Sequence, residues 1–247
     1  MVNLSTELYN LFDTDGIYIV DFLQWLVQSY HLPADLTVLD IGCGPGRLLE
    51  PLAKVGWQVV GMEPNAEYHA AAVAIAGRND HITVLAGGFD DIVQDATYDL
   101  IIAVNAPFAY LPSMEARHSA LVRMIHALKP GGVLFLDFPN FLHALMNYRA
   151  PAPSISESPN GDMIRRIIQH DIDFHSGAFT HTDLFYINDR LADKQEHKMY
   201  IITVTEMLYL LKEAGYSDVM TFNSYGARAN QRISGARLMV SARRGKV

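Results

Sequence analysis

The run Val38-Leu39-Asp40-Ile41-Gly42-Cys43-Gly44-Pro45-Gly46-Arg47-Leu48 constrains this chain more than any other stretch. Thr37-Val38-Leu39 is short and apolar, which suits a strand covered on both faces. Asp40 closes that strand with a carboxylate, and glycines at 42, 44 and 46 make a turn whose backbone a ligand can approach closely. Arg47 to Ala53 has helical spacing, and Pro51 is tolerated only if the helix starts near Arg47, which puts the proline in the first turn. A strand, a glycine turn and a helix start together make a site for anions and dipoles.

Spacing separates the ligands that use such a turn. Dinucleotide binding wants G-x-G-x-x-G, but counting from Gly42 the third position holds Arg47. The pattern present is D-x-G-x-G-x-G, from Asp40 to Gly46. It resembles the first motif of class I S-adenosylmethionine-dependent methyltransferases; a glycine turn in some other α/β protein is the plain alternative. The resemblance implies a Rossmann-like seven-stranded sheet that ends in an antiparallel hairpin. It also implies that Asp40, Gly42, Cys43, Gly44 and Gly46 surround the methionine end of S-adenosylmethionine, with S-adenosylhomocysteine as product.

At 247 residues the chain can bury a sizeable core and is expected to be one domain. A net charge of −8 argues against a nucleic-acid partner, since phosphate binding needs a basic surface. The single cysteine, Cys43, excludes an internal disulfide and a cysteine zinc cluster, and reads as a small residue in a crowded turn rather than a reactive thiol. No charged-then-apolar leader and no bilayer-length apolar run is present, so a cytoplasmic protein without membrane association is expected.

Residues 1–35 read as two helices, broken at Asp13-Thr14-Asp15-Gly16, with Asp15 a candidate cap and Ile19, Phe22, Leu23, Leu26 and Val27 on one face of the second. The family resemblance implies a helical cap that presents a tyrosine to the cofactor; Tyr18 is the candidate, while Tyr9 reads as a core residue. Gly56 to Glu63 is a second strand whose acidic end lies beside the glycine turn in a doubly wound sheet, where Glu63 can accept from both ribose hydroxyls. Pro64 and Asn65 start a helix that runs to Ala76. Ile82 to Leu85 is a third strand. Relatives carry an aspartate where Gly88 stands, so Phe89 is expected against the adenine, and Asp90 either meets the adenine amino group or caps the next turn with Asp91. Tyr98 to Val104 leads into Asn105-Ala106-Pro107-Phe108, one residue short of the Asn-Pro-Pro-aromatic signature of planar-amine methylation. Lys129-Pro130-Gly131-Gly132 and the apolar strand after it resemble the family's next motif, so the match runs in order through residues 36–140.

Residues 141–200 depart from a bare core. Arg149 to Asp162 reads as a surface loop, then Met163–His175 and Ala178–Asn188 as a hairpin turning at Ser176-Gly177, with a further strand over Glu196–Thr203. Alternation puts Ile164, Arg166, Ile168, His170 and Ile172 on one face, and Phe179, His181, Asp183, Phe185 and Ile187 on one face of the next strand. This antiparallel insert is expected beside the cofactor cleft, either shaping the acceptor pocket or making a homodimer contact. Residues 201–247 finish the core sheet: a helix capped by Thr205 and ended by Gly215, then strands over Val219–Ser224 and Ile233–Ser241.

The expected chemistry is methyl transfer to a nitrogen or oxygen of a small molecule. An alcohol or phenol acceptor needs a general base, an amine must shed a proton, and a carboxylate needs neither. His181, Tyr200 and Asn105 are the leading catalytic candidates, ahead of His170, His197 and Tyr110. A metal site from His170, Asp171, Asp173, His175 and His181 is disfavoured, because strand alternation points them to opposite faces. Of Arg165 and Arg166, only one can face the pocket. Competing readings are a peptide or protein methyltransferase, a non-catalytic S-adenosylmethionine binder, and an NAD-dependent reductase. Arg47 and the lack of a Tyr-x-x-x-Lys pair count against the reductase.

Overall fold

The computed structural model describes residues 16–148, 151–158 and 161–245. Tyr9, Asp15 and the first expected helix lie outside them. Helix α1 (Gly16–Ser29) buries Ile19, Phe22, Leu23, Leu26 and Val27, the face its spacing foretold. Phe22 packs against Phe135, Phe222 and Tyr225, fastening the helix to the sheet.

The main sheet has seven strands: β1 (Thr37–Ile41), β2 (Gln58–Glu63), β3 (Ile82–Ala86), β4 (Tyr98–Ala103), β5 (Leu128–Pro139), β10 (Tyr216–Phe222) and β11 (Arg237–Arg244). Their order is β10-β11-β5-β4-β1-β2-β3. Pairings among β1 to β5 are parallel, while β11 pairs antiparallel with β5 and with β10. Helices α2 (Leu49–Lys54), α3 (Ala66–Ala76) and α4 (Met114–Ala127) are the crossovers. Pro51 stands in the first turn of α2, as its missing N–H requires. The strand order reverses at the β1–β4 pair, β2 and β3 lying to one side and β4 and β5 to the other, so a crevice opens beyond the carboxyl ends of the central strands. The doubly wound sheet with a terminal antiparallel hairpin is the expected architecture.

A second, antiparallel sheet orders β6 (Ser154–Glu157), β7 (Met163–Asp173), β8 (Ala178–Ile187) and β9 (Arg190–Tyr200). The register sets Ile164 opposite Ile187, Arg166 opposite Phe185, His170 opposite His181, and His181 opposite His197. The two expected faces are therefore one continuous face. Phe179 and Met199 on it join the main core, with Phe179 against Phe141 of the short helix α5 (Phe141–Met146).

Three local expectations need correction. The stretch read as a loop, 149–162, contains β6, whose pairing with β7 supplies order that its polar residues did not signal. Strand β9 starts at Arg190, not Glu196, because Asn188 and Asp189 both take left-handed backbone and turn the chain tightly. Helix α6 (Val204–Glu213) is capped by Thr203, whose Oγ1 accepts from the Glu206 N–H at 3.2 Å, rather than by Thr205.

Candidate functional site

The turn after β1 takes its shape from left-handed backbone at Gly42 and Gly44 (φ +69° and +58°). The Gly42 N–H donates to the Met62 carbonyl at 2.7 Å, pinning the turn to β2. A Cβ on Gly42 would come within 2.7 Å of the Pro107 ring, whereas one on Gly44 would meet no atom within 4 Å. One glycine is there for packing and the other leaves room for a ligand. Gly46 belongs with the first: a Cβ there would press on Ile75, Leu49 and Ala72. It lets α2 and α3 close in, and it is not among the residues lining the cleft. Cys43 likewise packs towards Gly61, and burial raises its thiol pKa well above the usual range, so it is no nucleophile.

Asp40 is buried at the end of β1. Burial raises its pKa to about 7 against the pull of Arg47, with Glu63 adding to the rise. Glu63 is held by two backbone donors, Gly44 N–H to Oε2 at 2.9 Å and Asn65 N–H to Oε1 at 2.8 Å. Each of its oxygens keeps a second lone pair, and the residue lines the cleft. Pro64, Asn65 and Phe89 line it as well. The cleft, about 830 Å³, runs from this turn past Asn105 and Tyr110 to Arg166, His181, Asp183 and His197 on the second sheet. S-adenosylmethionine fits the first part, between an open glycine backbone and the oriented Glu63 carboxylate; Asp40 lies behind the glycine turn, on a small separate pocket that it shares with Cys43 and Arg47.

The far wall is strained. Asn105 and Ala106 are both left-handed (φ +66° and +78°), at a cost of roughly 1–3 kcal/mol each. Asp137, fully buried in β5, holds them there. Its carboxylate accepts from the Asn105 N–H at 3.1 Å and its carbonyl from the Ala106 N–H at 2.9 Å. Arg237 closes on the same carboxylate through Nε at 2.8 Å and a second guanidinium nitrogen, and Tyr225 donates its hydroxyl. Sequence reasoning gave Asp137 no role. The signal was an acid in the middle of Val-Leu-Phe-Leu-Asp-Phe, where nothing else is polar.

On the second sheet Asp183 is buried and bound twice, by Arg166 Nε at 2.7 Å and His181 Nε2 at 3.1 Å. Burial pushes its pKa up, but these two partners outweigh it and hold the carboxyl at about 2. His181 Nδ1 lies 2.9 Å from His170 Nε2. Tyr110 Oη lies 2.7 Å from His197 Nδ1, so the core and the second sheet touch at the cleft. Arg166 is the arginine that faces the cleft; Arg165 pairs with Asp189 outside it.

Tyr18, Asp90 and Tyr200 also sit apart from the cleft. Tyr18 is 70% exposed on the outer side of α1 and is not among the residues lining the cleft. Asp90 points to solvent beside Arg123, its side chain 87% exposed; its neighbour Asp91 does the capping, accepting from the Gly88 N–H at 2.8 Å. Tyr200 lies on the reverse face of β9, one residue past Met199, where alternation turns it from the cleft. Among the described residues no group of three or more His, Cys, Asp or Glu side chains is placed to hold a metal, and no helix is long and apolar enough to cross a membrane.

Residues 38–132 match the family model of the methyltransferase domain. A cypemycin N-terminal methyltransferase from Streptomyces sp is 33% identical over 111 residues, 44% of this chain and 44% of that protein. A ubiquinone biosynthesis O-methyltransferase from Bradyrhizobium diazoefficiens is 35% identical over 116 residues, 46% and 44% of the two. The match thus spans less than half the length of these curated relatives. Among solved structures, the sugar N-methyltransferase KedS8 from Streptoalloteichus sp superposes with a TM-score of 0.78 at 17% identity, covering 99% of this chain and 94% of that one. At that identity the likeness is one of fold.

Proposed function

We propose that this chain, whose residues 38–132 form a methyltransferase domain of the class I S-adenosylmethionine-dependent kind, methylates a nitrogen or oxygen of a polar small molecule. The observation that carries the reading is the continuity of the cleft. It leaves the glycine turn and ends in a chamber walled by Asn105, Tyr110, Arg166, Asp183 and His197, groups that suit an acceptor rich in hydrogen-bonding atoms. An O-methyltransferase and a sugar N-methyltransferase among the similar proteins support either heteroatom.

When bound, S-adenosylmethionine supplies a methyl group on a sulfonium, whose departing sulfur is neutral and needs neither acid nor metal. The chain's own contribution is placement. Asp40 and the Gly44 backbone take the amino-acid end, Glu63 takes the ribose diol, and Phe89 offers a face for the base. The Asn105–Pro107 turn, fixed by Asp137, sets the depth at which an acceptor stops. The second sheet walls one side of the chamber and helps hold an acceptor in line with the methyl group.

Incubation with radiolabelled S-adenosylmethionine and a panel of amino sugars, phenols, alcohols and short peptides tests the reading. Label transferred to a small amine or hydroxyl compound is the expected result. Label found only on peptides would replace the acceptor class, and tight cofactor binding without transfer to anything would make this a binding protein.

A further inference from the structure

We infer that His197, midway along β9, is the group that takes the acceptor's proton, and that Tyr110 decides which of its ring nitrogens is free to do so. The inference rests on the methyl-transfer reading above and deepens it.

Three imidazoles share the inner face of the second sheet: His170, His181 and His197. Only an imidazole with an unengaged lone pair can receive a proton. His181 has none in either protonation state. Its Nε2 faces the Asp183 carboxylate and must therefore carry hydrogen, and its Nδ1 faces His170 Nε2. When neutral, His181 accepts at Nδ1; when charged, it donates there. It is a positioning residue, clamped between an acid and a second imidazole. His170 stands behind it, its ring against Phe179 and Tyr148, and its Nδ1 is buried without a partner; it is not among the residues lining the cleft.

His197 differs. It lines the cleft, and its one hydrogen-bond partner among the described residues is Tyr110, on Nδ1. The charged and titratable groups facing it are Asp183 and His181 across β8, Arg166 beyond them on β7, and Tyr110 from the turn after β4. Burial lowers its pKa from the ordinary imidazole value; Asp183 opposes this, and His181 and Arg166 reinforce it. The ring is therefore neutral at neutral pH. In this assignment the phenol oxygen of Tyr110 accepts from Nδ1–H. Nε2 is then the bare nitrogen. In the reaction the acceptor's nitrogen or oxygen bonds to the methyl carbon, the carbon–sulfur bond breaks with its electron pair kept by sulfur, and the acceptor's proton passes to Nε2.

The ring's tautomer can be read without turnover. In protein labelled with ¹⁵N-histidine, long-range ¹H–¹⁵N spectra at pH 7.5, assigned with His197→Gln, should show a bare Nε2 and a protonated Nδ1. Tyr110→Phe should mix the two tautomers. With the acceptor found in the panel above, His197→Gln should lower kcat by about a hundredfold or more. It should also abolish the acid limb of the kcat–pH profile and leave the Kd for S-adenosylhomocysteine within threefold. A protonated Nε2 from pH 6 to 9, or a kcat within threefold of the parent, would overturn the assignment. Failure of the parent protein to bind S-adenosylhomocysteine would instead bring down the reading of the domain, and the tautomer result would stand apart from it.

Discussion

Gly42 and Gly44 stand two residues apart in one turn, have similar backbone angles, and should fail in opposite ways when given a methyl group. Any L-residue in left-handed backbone costs roughly 1–2 kcal/mol, so both alanine variants start from that loss. Gly42→Ala adds a collision: its Cβ would lie 2.7 Å from two atoms of the Pro107 ring, and that ring is backed by the strained turn that Asp137 holds. Overpacking of this kind costs about 1–3 kcal/mol more, which puts Gly42→Ala at about 2–5 kcal/mol. Gly44→Ala meets no atom within 4 Å, so its stability loss should stop at about 1–2 kcal/mol. Its methyl group instead stands in the cleft, where the proposed reading puts the amino-acid end of the cofactor. Urea unfolding of both variants, with calorimetric titration of S-adenosylhomocysteine, separates the two effects. Gly44→Ala should fold nearly as well as the parent and bind at least tenfold more weakly. Equal stability losses, or a Gly44→Ala protein that binds like the parent, would refute the division of labour within the turn.

Two further outcomes follow from the buried acids. In the free protein Asp40 titrates near pH 7, raised by burial, so the folded state holds a proton that the unfolded chain has lost between about pH 4 and 7; its contribution to stability therefore falls as pH rises through that window. A cofactor ammonium favours the ionised acid, so S-adenosylhomocysteine affinity should weaken below pH 7 by up to about tenfold per unit. Titrations in buffers of different ionisation enthalpy should show proton release, and Asp40→Asn should flatten the pH dependence. Asp137→Ala leaves Arg237 without its carboxylate and should cost about 3–5 kcal/mol in urea unfolding. Arg237→Met in the same background should recover part of that loss, because the stranded charge is then gone.

What could be read along the chain was what depends on near neighbours. The glycine turn, the acids at the ends of β1 and β2, and the inner face of α1 all follow from spacings of a few residues, and each lies where those spacings put it. Asp90 and Thr205 show the limit even there. With two adjacent acids, or two threonines two residues apart, the choice of cap turns on where the backbone enters the helix, a matter of one or two positions. Tyr200 shows another limit: its place just before a helix does not say which face of the strand it occupies, and a single step reverses a side chain.

The amino-acid order by itself determined the core's strand and helix segments, its glycine turn with the acids beside it, and which residues share a face on each strand of the hairpin, because period and turn chemistry are local properties; the parallel sheet was implied by the family resemblance. The tertiary structure alone decided that Asp137 meets Asn105, Tyr225 and Arg237, and that Tyr110 meets His197 across 87 positions of sequence. Such contacts depend on how two sheets are set against each other, and the sum of many packing contacts, not any one spacing, decides that arrangement.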